Sequence, residues 1–249
     1  MGAGIIIAGE SNIGLTRRRN EDSFVLASLP GRSSALAAVA DGIGGHRGGD
    51  IASGNCCAYL GGGYLEVVRH LERPEEAADF FRDTLDKVNA ELYRSSCEAK
   101  LGLPMGCTLI GAIFFAGKLV LASSGDSHCY EYHPSSGLRQ LNTDHVAPPE
   151  VLAAQRQNGN PASSPLIHAI GLHEQLEIDL EVLPRRAESR YLFCSDGLHR
   201  GVSEQNLQEV LATSQTPREA VDELMRQALM AGGRDNVTII VAFPEKKAR

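Results

Sequence analysis

The chain has 249 residues, of which 43% are hydrophobic and 22% charged, so it can bury a core and is neither disordered nor a disulfide-stapled mini-fold. Its formal net charge of −7 disfavours a duplex nucleic-acid binder, which would usually be basic. The six cysteines form no CxxC pair, the start has no basic segment, and no apolar run reaches the roughly 18 residues of a membrane span. We therefore expect a reduced, cytoplasmic protein without a membrane span.

Short runs of apolar and β-branched residues predict nine strands along the chain. Turn-forming residues at Gly117 and Pro134–Gly137 separate neighbouring strands. Strands so close in sequence favour hairpins and an antiparallel sheet. The predicted strands are Ile5–Ala8, Phe24–Ala27, Leu36–Ala40, Thr108–Phe115, Leu119–Ser123, Cys129–Tyr132, Ile178–Val182, Tyr191–Cys194 and Val237–Phe243.

Helices are predicted between these strands. One lies between Pro74 and Ser96, where apolar residues recur at three- and four-residue intervals. Another begins at Thr216, which forms a capping box with Glu219, and ends at the glycine pair 232–233. The proline-rich segment 145–165 is expected to be mostly irregular. Strands interleaved with helices predict an α+β layered domain.

Acidic residues recur where apolar strands begin or end. Aspartate is disfavoured inside strands, and a single Asp-Gly pair would indicate only a turn. Five such places together indicate carboxylates that project from the rim of one sheet. The five are Asn20-Glu21-Asp22, Asp41-Gly42, Gly125-Asp126, Asp196-Gly197 and Asp235-Asn236.

A cluster of carboxylates predicts bound cations, because like charges repel unless they are protonated or paired. Their hard oxygen ligands select magnesium, manganese or calcium over zinc or copper. Two such ions would lower the pKa of a bridging water and neutralise phosphate oxygens. The residues alone therefore predict a hydrolytic site for a phosphate ester.

Six short motifs occur in order along the chain: Gly14-x-x-Arg17-x-x-Asn20-Glu21-Asp22, Asp41-Gly42-Ile43-Gly44-Gly45-His46, Gly106-Cys107-Thr108, Gly125-Asp126-Ser127, Ser195-Asp196-Gly197 and Asp235-Asn236-Val237-Thr238. Each is weak alone, but together they resemble the motifs of the PPM family, the protein phosphatase 2C type. The match covers residues 14–241. The resemblance implies a single catalytic domain over residues 1–249, built as a four-layer α-β-β-α sandwich. In that fold a central antiparallel β-sandwich is flanked by helices, with the metals at one end.

The resemblance also implies where two cations, Mn²⁺ or Mg²⁺, would bind. Asp41 would bridge them. The Gly42 carbonyl and, through water, Glu21 would complete the shell of one ion.

Three further aspartates would serve the second ion: Asp196, Asp235 and, directly or through water, Asp22. Bacterial members of the family carry a third cation, and Asp126 with Asp196 would supply its protein ligands here.

Two residues would act on the substrate. Arg17 would grip two phosphate oxygens with its fork, or else it is only a solvated member of the run Arg17–Arg19. His46 would be the general acid toward the serine or threonine leaving group, or would only orient a carboxylate through a hydrogen bond.

Two features depart from the family pattern. His128 stands where arginine is expected after Gly-Asp-Ser, so a salt bridge behind Asp126 is expected to be missing or pH-dependent. The segment between Asp144 and Ala169 is shorter than the family's mobile flap, so substrate recognition is expected to differ from the family more than the chemistry does.

The function implied is a metal-dependent serine/threonine protein phosphatase, in which a water that bridges two metal ions attacks the phosphorus. The chain resembles small bacterial phosphatases that oppose a serine/threonine kinase, including some linked to secretion systems. Its partners would be phosphorylated proteins, among them the kinase and its substrates, and we expect a monomer.

Two alternatives remain open at the sequence level. Cys194 and Arg200 have the C-x5-R spacing of a cysteine phosphatase, although Asp196 inside that loop would repel a phosphate. The chain could instead be an inactive phosphopeptide-binding scaffold of the same fold. A metal titration separates the scaffold from the enzyme, because a dead scaffold need not bind manganese.

Overall fold

The computed structural model describes residues 4–29, 34–43, 48–98, 105–148 and 166–245. Eleven strands lie within these ranges, and all of their pairings are antiparallel. The strands are β1 (Ile5–Asn12), β2 (Asp22–Ser28), β3 (Ala35–Ile43), β4 (Gly106–Cys107), β5 (Leu109–Phe115), β6 (Lys118–Ser124), β7 (His128–His133), β8 (Gly137–Gln140), β9 (Asp179–Pro184), β10 (Arg190–Cys194) and β11 (Val237–Pro244).

The strands form two sheets that pack face to face. One has the order β1-β11-β10-β7-β8, and the other has the order β2-β3-β5-β6-β9, with the short β4 paired to β3. Side chains from both inner faces form a shared core that includes Val39, Ile110, Phe114, Phe193 and Ile240. Phe114 meets Phe193 edge to face, with ring centroids 6.3 Å apart.

Helices cover the outer face of each sheet. The helices α1 (Gly49–Val67) and α2 (Pro74–Glu98) pack on the sheet that contains β3, β5 and β6. The helices α3 (Asp196–His199), α4 (Glu204–Thr213) and α5 (Pro217–Met230) pack on the other sheet. The predicted four-layer α-β-β-α sandwich is therefore confirmed. No helix in the described ranges is both long enough and apolar enough to cross a membrane.

All nine predicted strands are found, most of them one to four residues longer than predicted. The strand predicted as Thr108–Phe115 begins one residue later, at Leu109, and the two-residue strand β4 that precedes Thr108 was not predicted. The strand β8 was not predicted, because its four residues are half-exposed and mostly polar. The capping box at Thr216 is confirmed in part. Its hydroxyl accepts a hydrogen bond from the Glu219 N–H (3.2 Å), but the Glu219 carboxylate accepts from the Gln215 N–H (2.7 Å).

Helix α1 was missed because it lacks the apolar periodicity that identifies a helix at a protein surface. It contains Gly54 and the run Gly61–Gly63, and apolar or small residues occur on all its sides. Its packing explains the helix instead, since Leu60 and Tyr64 are fully buried against the sheet. Tertiary contacts therefore outweigh a poor local propensity here.

Candidate functional site

Five aspartates from both sheets lie at one end of the sandwich, and we call this group the acidic rim. Each occupies a place where a strand begins or ends. The residues are Asp22 at the start of β2, Asp41 near the end of β3, Asp126 between β6 and β7, Asp196 after β10 and Asp235 before β11. The prediction that strand ends bring these aspartates together is confirmed, but they do not project from the rim of one sheet. Asp22 and Asp41 lie on the sheet that contains β2 and β3, whereas Asp196 and Asp235 flank strands of the other sheet.

Asp22 joins the two sheets at the rim. It lies opposite Asp41 in the β2–β3 pairing. Its Oδ2 accepts hydrogen bonds from the hydroxyls of Ser195 (2.6 Å), which follows β10 of the other sheet, and Thr238 (2.7 Å), which lies on β11. Its Oδ1 is buried and has no hydrogen-bond partner. A carboxylate that is only 7% exposed and half satisfied is costly unless it is protonated or a cation is near.

Asp41 is fixed through its backbone, and its carboxylate faces that of Asp22. The Asp41 N–H donates to the Thr108 hydroxyl (3.1 Å), and the Thr108 N–H donates to the Asp41 carbonyl (2.8 Å). The Thr108 hydroxyl also lies 2.7 Å from that of Ser127. The motif Gly106-Cys107-Thr108 thus positions Asp41 rather than contributing a charge of its own.

The segment beside Asp41 is tightly packed. The Gly42 N–H donates to the Glu21 carbonyl (3.1 Å), and a Cβ on Gly42 would collide with the carbonyl of Gly49. The Glu21 N–H donates in turn to the Asn236 side-chain oxygen (2.9 Å). Glu21 and Gly42 therefore lie at the acidic rim, as predicted.

Asp126 and Asp196 share one arginine. The Arg200 guanidinium donates to Asp126 Oδ2 (3.2 Å) and to Asp196 Oδ2 (2.6 Å). Asp196 is the first residue of α3, so Arg200 lies four residues further along, one helical turn away. The Asp196 Oδ1 is buried without a hydrogen-bond partner. This bridge was not predicted, since the sequence suggested Arg200 only as the arginine of a C-x5-R motif.

Arg17 lies at the rim through a contact with Asp235, whose Oδ2 is 2.7 Å from its guanidinium. The Arg17 side chain is 47% exposed, so it is accessible to a ligand. Asn236 fixes the loop that carries Arg17, because its side-chain N–H₂ donates to the carbonyls of Ile13 and Arg19, both at 2.9 Å. Asn236 was not predicted to have this role.

In the acidic rim, the negative charges outnumber the positive groups that could neutralise them. Burial, and then the charges of Asp22 and Asp196, raise the pKa of Asp41 well above its usual value. Burial raises the pKa of Asp196 to about 7, even though the charge of Arg200 lowers it. Burial also raises the pKa values of Asp22 and Asp126. The site therefore carries more negative charge than its protein partners neutralise.

A hard divalent cation fits this arrangement. The donors are carboxylate and carbonyl oxygens, and two buried oxygens lack partners. Within the described ranges, no three histidine, cysteine or acidic side chains already converge as metal ligands. The oxygens of Asp126, Asp196 and Asp235 face Arg200 and Arg17 instead.

One sequence prediction falls entirely outside the described ranges, and another falls mostly outside them. His46, the candidate general acid, is one of the residues 44–47 that the structure does not describe. The same holds for residues 149–165, which make up most of the irregular segment predicted between His145 and Pro165.

The expectation for His128 needs a correction. The salt bridge to Asp126 is not missing, because Arg200 supplies it. His128 instead pairs with Asp144 (2.9 Å) and stacks on His199, with ring centroids 3.7 Å apart. Burial, and then the His128 charge, lower the pKa of His199 to about 4, so this ring stays neutral and its Nε2 donates to the Asp126 carbonyl (3.2 Å).

The cysteine-phosphatase alternative is contradicted by the surroundings of Cys194. The thiol is fully buried in the core between β10 and the helices, and burial raises its pKa far above neutrality. A reactive cysteine needs the opposite, a depressed pKa and access to substrate. Arg200, the other half of that motif, is held by two carboxylates and does not line an anion-binding loop.

Comparisons with known proteins agree with this geometry. The family model for protein phosphatase 2C matches residues 9–231. The Listeria monocytogenes serine/threonine phosphatase stp is 32% identical over 234 residues, which is 92% of this chain and 91% of the relative. The Mycobacterium tuberculosis serine/threonine protein phosphatase PstP is 31% identical over 243 residues, which is 94% of this chain and 44% of PstP.

Solved structures share the whole fold. The S. agalactiae serine/threonine phosphatase superimposes with a TM-score of 0.84 at 25% identity, covering 97% of this chain and 100% of that one. PppA of Pseudomonas aeruginosa, described as a key regulatory component of T6SS, superimposes with a TM-score of 0.81 at 26% identity. That match covers 98% of this chain and 99% of PppA.

Proposed function

The chain belongs to the protein phosphatase 2C family of serine/threonine phosphatases, and we propose that it hydrolyses phosphoserine and phosphothreonine in proteins with bound Mn²⁺ or Mg²⁺. The observation that carries the proposal is the unbalanced, buried charge of the acidic rim, with its two unpartnered carboxylate oxygens. When bound, such ions activate water as a nucleophile and neutralise the phosphate oxygens.

The chain's own residues would hold these ions through oxygen atoms. We assign Asp41 to the position between two cations, because it faces four other aspartates and its backbone is fixed independently. A third cation would lie at Asp126 and Asp196, which already share one positive partner. The remaining ligands in this proposal are Glu21, Asp22, the Gly42 carbonyl and Asp235.

Arg17 would hold the substrate phosphate. Its guanidinium is half exposed, lies beside Asp235 and can present two parallel N–H donors to phosphate oxygens. Removing it in Arg17→Ala should cost roughly 2 kcal/mol of transition-state binding, about thirtyfold in kcat/KM. Mn²⁺ should still bind, because the Arg17 ion pair is with Asp235 and the other proposed ligands remain. An unchanged kcat/KM would assign Arg17 to the solvated arginine run.

His46 would protonate the serine or threonine oxygen as it leaves. A nitrophenolate is a far better leaving group and needs no such proton. His46→Gln should therefore slow the hydrolysis of phosphothreonine peptides more than that of p-nitrophenyl phosphate. An equal loss with both substrates would leave His46 only an orienting role.

The partners we propose are phosphorylated proteins, namely a bacterial serine/threonine kinase and its substrates, met by a monomeric enzyme in the cytoplasm. The relatives that support this are named serine/threonine phosphatases. All six cysteines are free thiols, as a reducing compartment favours. Deleting this gene should raise the phosphorylation of a serine/threonine kinase that is encoded beside it. An unchanged level of kinase phosphorylation would contradict the proposal that the two act as a pair.

Metal dependence tests the function directly. The purified protein should hydrolyse phosphothreonine peptides with Mn²⁺ or Mg²⁺, lose this activity in EDTA and regain it when Mn²⁺ is added back. Full activity in EDTA would overturn the proposed chemistry. Mn²⁺ binding without any hydrolysis of peptides or p-nitrophenyl phosphate would favour the inactive scaffold instead.

A further inference from the structure

The bridge between Arg200, Asp126 and Asp196 places a positive charge where the acidic rim would otherwise hold only carboxylates. One terminal nitrogen of the guanidinium lies 2.6 Å from Asp196 Oδ2, and the other lies 3.2 Å from Asp126 Oδ2. Both aspartate side chains are 11% exposed, whereas Arg200 is 53% exposed. Two nearly buried anions are thus bridged by a cation that reaches them from the surface.

A divalent cation at the same two carboxylates cannot coexist with this bridge. The oxygens that would bind it already accept hydrogen bonds, and a guanidinium that close would repel it in a region of low dielectric. Asp196 Oδ1, buried and without a partner, remains available to a metal even while Oδ2 is held. Competition therefore centres on the Oδ2 atoms of Asp126 and Asp196.

We propose that Arg200 is a built-in cation that occupies the Asp126–Asp196 carboxylate pair and swings away when a divalent cation binds there. This inference rests on the proposed function. It makes Arg200 the residue that sets the affinity of the third cation position, at Asp126 and Asp196. The position that Asp196 shares with Asp22 and Asp235 is affected less, because its other ligands are not held by Arg200.

The surroundings of Arg200 allow such a movement. Its backbone is anchored at the end of α3, where its N–H donates to the Asp196 carbonyl (3.0 Å). Its side chain is half exposed and long enough to carry the guanidinium into solvent while the backbone stays fixed. With the guanidinium released, the two carboxylates need another positive partner, which the divalent cation supplies.

The test is a calorimetric titration of MnCl₂ into the EDTA-stripped full-length protein, compared with Arg200→Gln. Glutamine removes the charge and keeps a hydrogen-bonding side chain. We expect the weakest Mn²⁺ binding step to tighten by about fivefold or more in the variant, a typical size for coupling between two sites. The tighter steps should change less, because most of their proposed ligands are not among the carboxylates that Arg200 bridges. In EDTA the melting temperature of Arg200→Gln should fall, because its two aspartates have lost their partner.

Arg226→Gln is the matched control. Arg226 also forms an ion pair, with Glu223 on α5, but has no contact with the acidic rim. Its Mn²⁺ isotherm should superimpose on that of the wild type. Should Arg200→Gln not melt cooperatively, Arg200→Lys replaces it, with an expected affinity between those of the wild type and the glutamine variant.

Three results would overturn the inference. Identical isotherms for the wild type and Arg200→Gln would show that no competition exists, and weaker binding in the variant would make Arg200 a supporting residue of the metal site. An unchanged isotherm with a raised KM would assign Arg200 to the substrate phosphate. The absence of Mn²⁺ binding in all three proteins is a separate outcome, because it removes the proposed function on which the inference rests.

Discussion

Two groups of buried carboxylates in this molecule have opposite electrostatics. Glu131 on β7 is only 1% exposed, yet its carboxylate is fully engaged. It pairs with Arg139 (2.7 Å) and Arg186 (3.0 Å) and accepts the Ser189 hydroxyl (2.6 Å). Burial alone would raise its pKa, but the bonds from Arg186, Ser189 and Arg139 outweigh burial and lower it.

The acidic rim shows the reverse. Five aspartates are partnered by two arginines and a few hydroxyls, and Asp22 and Asp196 each keep a buried oxygen without a partner. The pKa of Asp196 rises to about 7, and that of Asp41 rises as well. Asp22, Asp126 and Asp196 are buried much as Glu131 is, so for these residues the number of positive partners makes the difference.

This contrast separates a structural carboxylate from a candidate functional one. A balanced buried charge such as Glu131 contributes to folding and has no capacity for a further cation. An unbalanced group is costly to the fold and is retained where a ligand supplies the missing charge. A search for buried carboxylates alone would have identified Glu131 as a candidate functional residue as readily as the aspartates.

Substitution of Asp196 gives the largest expected effect on catalysis. Asp196→Asn removes one charge from the unbalanced group and should lower kcat on the order of a thousandfold or more, by removing a ligand that places a cation. Because the rim is over-charged, the metal-free variant should melt no lower than the metal-free wild type. Steady-state assays at saturating Mn²⁺ and melting curves in EDTA measure both.

Cys194→Ser, two residues before Asp196, is the matched control for Asp196→Asn. It should cost on the order of 1 kcal/mol in stability and leave kcat unchanged, since the thiol only packs in the core. An inactive but folded Cys194→Ser beside an active Asp196→Asn would reverse the comparison and overturn the metal mechanism.

Glu131→Gln should show the opposite pattern to Asp196→Asn, with a large loss of stability and no loss of turnover in the folded enzyme. We expect unfolding to become easier by roughly 2–4 kcal/mol, because a buried charge-assisted network loses its charge. The pKa of Glu131 is lowered in the folded state, so its contribution is present above its ordinary value of 4.5 and is lost as the pH falls through the lowered pKa. Denaturant melts should therefore separate the two proteins near neutrality and converge in acid. A variant that is equally stable at neutral pH would remove Glu131 from the comparison.

The strand ends and their aspartates were predictable because they depend on local signals. An apolar run that stops at Asp-Gly shows where a carboxylate leaves a strand, and the order of six motifs selected the family. The partners of these aspartates were not predictable. Asp22 is 173 residues from Ser195, and Arg200 is 74 residues from Asp126, so only the packing of the two sheets brings them together.

The network of Glu131 was missed for the same reason. Its partners Arg186 and Ser189 follow β9, more than 50 residues away. Arg200 did carry a local signal, since it is one helical turn after Asp196. That signal was read as a C-x5-R motif because the short helix α3 was not predicted.

The pH dependence of stability, measured with and without Mn²⁺, tests most directly that divalent cations balance the acidic rim. The folded pKa of Asp196 is about 7 against an ordinary 3.8, so between these values the folded state holds more protons than the unfolded chain. In EDTA the melting temperature should therefore fall as the pH rises from about 5 to about 7.5, and less so in Asp196→Asn, which controls for the other titrating groups. Saturating Mn²⁺ should reverse the trend in the wild type, because the cation competes with protons for the same oxygens. The same pH profile in EDTA and in Mn²⁺ would contradict the account.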